Sequence, residues 1–222
     1  MASIVAALWG MPLGVRVSAS SGDRRLPVVT QDPQSLDDQF EQGLQQLEAG
    51  EWTAAIATFS AVIAANPGVY EAYSQRALAY AQQGDYAAAM ADLDQTLALV
   101  PTHFEAYNRR GLVWVQQQQW QAAIAEFTTA LDVQPDYIDA LYNRGRTYVQ
   151  MEQYAAAIAD FTAALELRPN FAPGFGERGL AHQALGNARR ARLDLQMAAD
   201  LFEYQGNQRD YQRTLNYLRQ LQ

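Results

Sequence analysis

The chain has 222 residues, 49% apolar and 18% charged, which excludes both a disordered chain and one that fills a membrane. Asp and Glu number 24 against 16 basic residues, every one of them Arg, so the formal charge is -8 and no basic run awaits nucleic acid or anionic lipid. With no cysteine and only His103 and His182 as imidazoles, disulfides, thiolate chemistry and a zinc cluster are excluded too.

Residues 1–15 carry no charge and include Ile4, Val5, Leu8, Trp9, Met11 and Leu13. Arg16 follows, then Val17-Ser18-Ala19, a small-x-small pattern that sets a cleavage point at Ser20. Residues 1–19 read as an export signal, with an unprocessed leader as the alternative, since the front end lacks Lys and Arg and Pro12 interrupts the run. The apolar stretch is too short to span a bilayer. Residues 20–34, rich in Ser, Gly, Asp, Arg and Pro, read as a linker, and Asp32-Pro33 or Ser35 as the start of the first helix.

A period then takes over. Pro67, Pro101, Pro135 and Pro169 stand 34 residues apart. In that register five units begin at Leu36, Tyr70, Phe104, Ile138 and Ala172 and together fill residues 35–203. Gly43, Ala77, Gly111, Gly145 and Gly179 occupy the eighth place, and Ala55, Ala89, Ala123, Ala157 and Ala191 the twentieth. Phe59, Leu93, Phe127, Phe161 and Leu195 occupy the twenty-fourth. Trp52, Tyr86, Trp120 and Tyr154 fill the seventeenth until Ala188 breaks the series. Apolar residues at helical spacing in both halves predict two helices per unit. Small residues at the eighth and twentieth places let the two backbones approach, and the aromatics fill the space beside them. Gly50 and Gly84 suit the turn inside a unit, where Gln118 and Glu152 stand in units three and four. One unit cannot bury its apolar face alone, so five must stack.

After Gly206, Asn207 or Asp210 starts one more amphipathic helix, with Tyr211, Leu215, Leu218 and Leu221 on its apolar side. The segment 204–222 is expected to cap the open face of unit five.

The segment Leu36–Glu203 resembles the tetratricopeptide repeat, a 34-residue helix-turn-helix unit, and departs from it where Ala188, Arg192 and Glu203 replace an aromatic, an apolar residue and the proline. The resemblance implies an all-α fold, a right-handed superhelical solenoid of antiparallel helix pairs. It also implies a concave groove that binds protein segments, with no catalysis and no cofactor. The groove places it implies are Phe40, Leu44, Leu47, Glu71, Ser74, Leu78, Glu105, Asn108, Leu112, Val115, Asp139, Tyr142, Asn143, Arg146 and Val149. They describe an apolar floor with an acidic margin, although the acids at Glu71, Glu105 and Asp139 equally suit the positive ends of their helices. The members that hold carboxylate tails use Lys and Asn at set groove places; here Leu44 and Leu78 stand at the Asn places and Lys is absent. From Leu36 to Phe171 there are seventeen acids and six arginines. The expected partner is therefore a neutral or basic protein or peptide. Nucleic acid and small-molecule substrates are not expected, and any membrane association is indirect.

No phosphate loop, His-Glu-x-x-His or Gly-x-Ser-x-Gly pattern occurs, and the Asp37-Asp38 pair suits a solvated first helical turn better than an acid and base. His182 stands where Tyr80, Trp114 and Tyr148 stand in earlier units and reads as a filler between helices. One further pattern is unusual. Arg76, Arg110, Arg144 and Arg178 fill the seventh place of units two to five, and Asp92, Glu126, Asp160 and Asp194 follow sixteen residues later. Unit one lacks both members, with Gln42 and Thr58 there instead. Joint presence and joint absence suggest ionic pairs within a unit or across to the next. The functional expectation is a protein-interaction scaffold. The alternative, from a loose similarity to bacterial and especially cyanobacterial repeat proteins, is an assembly factor for a membrane complex, photosynthetic complexes included. Export to a periplasm or thylakoid lumen is favoured over the cytoplasm.

Overall fold

The residue before each repeat proline decides where a helix pair ends. A proline ring excludes the helical conformation from its predecessor, and Asn66, Val100, Gln134 and Arg168 are extended, with φ of -144, -134, -133 and -136°. The computed structural model describes residues 35–221; the expected export signal and linker at 1–34 lie outside them. Among the described residues there are eleven helices and no strand. They are α1 (Leu36–Glu48), α2 (Trp52–Ala65), α3 (Tyr70–Gln83), α4 (Tyr86–Leu99), α5 (Phe104–Gln116) and α6 (Trp120–Val133). Then come α7 (Ile138–Gln150), α8 (Tyr154–Leu167), α9 (Ala172–Ala184), α10 (Ala188–Tyr204) and α11 (Gln208–Gln220).

Ser35 opens the array with a reciprocal cap: its hydroxyl accepts from the Asp38 amide at 3.1 Å while Asp38 accepts from the Ser35 amide at 3.2 Å. Inside each unit the chain reverses through one left-handed residue. Gly50, Gly84 and Gly186 supply it at no steric cost, as Gly206 does between α10 and α11, whereas Gln118 and Glu152 are forced to φ of 59 and 57°. A side chain there costs roughly 1–2 kcal/mol, which the lower entropy of the non-glycine unfolded chain offsets in part. Gln118→Gly and Glu152→Gly should each stabilise the protein by about 0.5 kcal/mol, read as a higher urea midpoint.

Each unit is locked at one crossing. Phe59, Phe127 and Phe161 are fully buried and lie flat over Gly43, Gly111 and Gly145. A Cβ on those glycines would stand 2.6, 2.5 and 2.7 Å from the facing ring. Unit two uses a different pair of similar volume, Ala77 with the buried Leu93. Helix follows helix in antiparallel contact, and from α1 to α9 each odd-numbered helix also touches the next odd-numbered one. No even-numbered helix packs on the next even-numbered one to that extent. The stack therefore curves with α1, α3, α5, α7 and α9 on its inner side.

At the C-terminal end α10 runs on for 17 residues, and α11 folds back onto it. Asn207 caps α11 by accepting from the Asp210 amide at 3.2 Å. The face α11 buries differs from its leucine stripe. Asp210 and Thr214 are the buried residues, while Leu215 and Leu218 are half-buried. Tyr211 packs with Phe175 and Leu201 on a cluster of Ala172, Ala198 and Phe202. No helix among the described residues is long and apolar enough to cross a membrane.

Candidate protein-interaction groove

The inner side of the curve carries the groove residues read from the sequence, and it sorts them by depth. Leu47, Ser74, Leu78 and Asn108 are buried, so they support the floor from beneath rather than present a surface. Leu78 is 8% exposed and belongs to the core that joins units one and two, with Phe59 and Val62. Phe40 and Tyr142 are half-buried, one set edge-on to Phe59 at 5.5 Å and the other to Phe171 at 5.1 Å. Leu44 leans on the first core as well. Leu112, Val115 and Val149 are half-buried. Of the acidic margin, Asp139 is exposed and Glu71 and Glu105 are half-buried.

Polar groups tie the inner helices to each other. Arg109 donates to the Ser74 carbonyl at 2.6 Å, joining α5 to α3. Asn143 donates to Asn108 Oδ1 at 3.0 Å, joining α7 to α5. Arg146 stands 3.9 Å from Glu177, facing α9 from α7. Arg109 and Glu177 were not among the groove residues expected from the sequence. The signal for them is the sixth place, polar in every unit as Glu41, Gln75, Arg109, Asn143 and Glu177. Burial lowers the Arg109 pKa and raises that of Glu177, the latter eased by Arg146 and then Arg213.

The arginines at the seventh place form the ionic pairs expected, and each reaches further than a pair. Arg76, Arg144 and Arg178 each hold an aspartate of their own unit through two bonds of 2.8–2.9 Å, to Asp92, Asp160 and Asp194. The remaining nitrogen donates to a hydroxyl of the preceding unit, Ser60, Thr128 or Thr162, at 2.8, 3.0 and 3.1 Å. Arg110 does the same with two acids, Glu126 and Asp94, both at 2.8 Å. Each arginine thus joins three helices. Unit one has no such rung, and Thr58 donates instead to Gln46 at 2.8 Å.

Three tetratricopeptide repeat models match the sequence, over residues 40–104, 113–151 and 138–171. The chain belongs to the tetratricopeptide repeat family. A crystal structure of MamA is similar at 25% identity and a TM-score of 0.66, over 74% of this chain and 96% of that one. MamA from Desulfovibrio magneticus RS-1 aligns at 21% identity and a TM-score of 0.62, over 78% and 97%. YrrB, described as a tetratricopeptide protein with an unusual peptide-binding site, aligns at 18% identity and 0.61, over 81% and 90%. No curated protein sequence matches the chain.

The tetratricopeptide fold is a non-catalytic scaffold for protein interactions, and this chain has that fold. No group of acids or histidines among the described residues is arranged to hold a metal ion. His182 is buried between helices and its pKa is lowered by burial, while His103 caps α5 by accepting from the Ala106 amide at 3.1 Å. Both are structural positions in a tetratricopeptide array.

Proposed function

We propose that the array holds a neutral or basic polypeptide segment in its concave face, as an adaptor between proteins. The observation that carries this reading is the row Leu112, Val115 and Val149. These apolar side chains are half-buried on the inner helices α5 and α7, whose first turns carry the carboxylates of Glu105 and Asp139. Apolar surface left in a row is stabilised by a partner that covers it, and the excess of acids from Leu36 to Phe171 favours a partner of neutral or positive charge.

Leu112→Glu is the decisive variant, because a half-buried leucine can give way to a hydrated carboxylate in the free protein. Once a partner covers it, that carboxylate is desolvated without a mate, at a cost of about 2 kcal/mol or more. Partners captured on the full chain should be retained at least tenfold less well by Leu112→Glu, with an unchanged circular-dichroism melt. Gln121→Glu, on the exposed face of α6, should change neither. Equal capture by all three proteins would place the interface elsewhere.

A further inference from the structure

The C-terminal end of the concave face closes into a pocket between α7, α9, α10 and α11, lined by Tyr142, Glu177, Leu180, Phe202, Arg213 and Thr214 among others. One of its walls is chemically incomplete. The Glu177 side chain is 8% exposed, and its Oε2 accepts no hydrogen bond from any described residue. Its Oε1 has Arg146 at 3.9 Å, beyond hydrogen-bonding distance. A buried carboxylate oxygen without a donor destabilises the free protein, and a ligand that donates to it recovers that loss.

What would complete it follows from the charges around it. Arg213 is held by Asp210 at 3.1 Å, and Arg146 faces Glu177, so among the described residues two cations and two anions share the neighbourhood and their sum is zero. An incoming ammonium or guanidinium would satisfy Glu177 but meet Arg146 and Arg213. An incoming carboxylate would meet Glu177 and Asp210. A carboxamide meets both demands at once, because its NH2 donates to Glu177 and its carbonyl accepts from a neighbouring guanidinium. Its short methylene stem suits walls of Leu180 and Phe202. Resting on the groove reading above, we infer that this pocket selects an Asn or Gln side chain of the bound segment, with Glu177 as the acceptor that reads its amide hydrogens.

The test pans the full-length chain with a phage-displayed library of random peptides and measures the selected peptides by calorimetry. The inference expects one Asn or Gln fixed in the selected set. Changing that residue to Asp, Lys or Leu should weaken binding about tenfold, the loss of one well-made hydrogen bond to a charged group. Glu177→Met should weaken the amide peptide equally and restore the Leu peptide. Because the unpaired carboxylate penalises the free fold, Glu177→Met should also melt a few degrees higher than wild type. The raised Glu177 pKa fixes how that gap varies with pH. Above the raised value the buried charge is present and the gap is widest; as pH falls through it the proton is taken up and the gap closes. A selected set led by Lys, Arg, Asp or Glu would overturn the inference. So would amide peptides indifferent to Glu177→Met, or a lower melting temperature of that variant, which would make the carboxylate a structural support. If no selected peptide is sensitive to Leu112→Glu, the groove reading itself falls, and the two failures are told apart.

Discussion

Arg144→Met should destabilise the array by about 2–4 kcal/mol, among the largest effects expected of any residue outside the apolar core. Removing one partner of a largely buried ion pair leaves the other charge desolvated and unpaired. Here the orphan is Asp160, whose side chain is 9% exposed and accepts both of its close bonds, at 2.9 and 2.8 Å, from Arg144. Thr128 loses its donor as well. Asp160→Leu combined with Arg144→Met should recover most of the loss, since two apolar side chains leave no charge behind. Arg144→Lys should fall between, keeping the charge but losing the planar fork that serves Asp160 and Thr128 together. Urea titrations of wild type, Arg144→Met, Asp160→Leu and the double variant give the coupling directly. A coupling of zero would show that the two groups are hydrated independently.

Gly111→Ala should cost about 1–3 kcal/mol even though alanine is the better helix former by up to about 1 kcal/mol. The added methyl would lie 2.5 Å from Phe127 Cε1 and 2.8 Å from Cδ1, and Phe127 is fully buried, so the ring cannot swing clear. Unit two shows the remedy, because it carries alanine and leucine at the same two places, Ala77 and Leu93. Phe127→Leu alone should open a small cavity and lose stability. Added to Gly111→Ala it should restore most of what the alanine took. A double variant less stable than either single one would mean that the two helices meet on other terms in unit three than in unit two.

The period made the helix pairs, their order and the ion pairs legible before any coordinates. A residue recurring every 34 positions meets the same neighbours each time, and so Arg144 and Asp160 could be matched to Arg76 and Asp92 by counting. What counting cannot supply is depth. Leu78 and Leu112 hold the same place in adjacent units, yet one joins the core with Phe59 and Val62 and the other is half-buried. The same blindness hid the third member of each rung, Ser60, Asp94, Thr128 or Thr162, whose mixed chemistry conceals one shared role. It also hid the orientation of α11. Its leucines carry the pattern, but Asp210 and Thr214 take the buried side, since the surface they meet belongs to α10 and the pocket beside it.

The rungs overlap, and that has a mechanical result. Helix α4 is gripped by Arg76 through Asp92 and by Arg110 through Asp94; α6 is gripped twice through Glu126 and Thr128, and α8 twice through Asp160 and Thr162. Each shared helix passes a twist from one rung to the next, so the coil from α2 to α10 resists torsion as one spring. Helix α1 hangs outside it, fastened by apolar contacts and the Thr58–Gln46 bond. The pitch of that coil is held by the arginines, whereas α1 keeps its place through the close Gly43–Phe59 crossing and the apolar core around it.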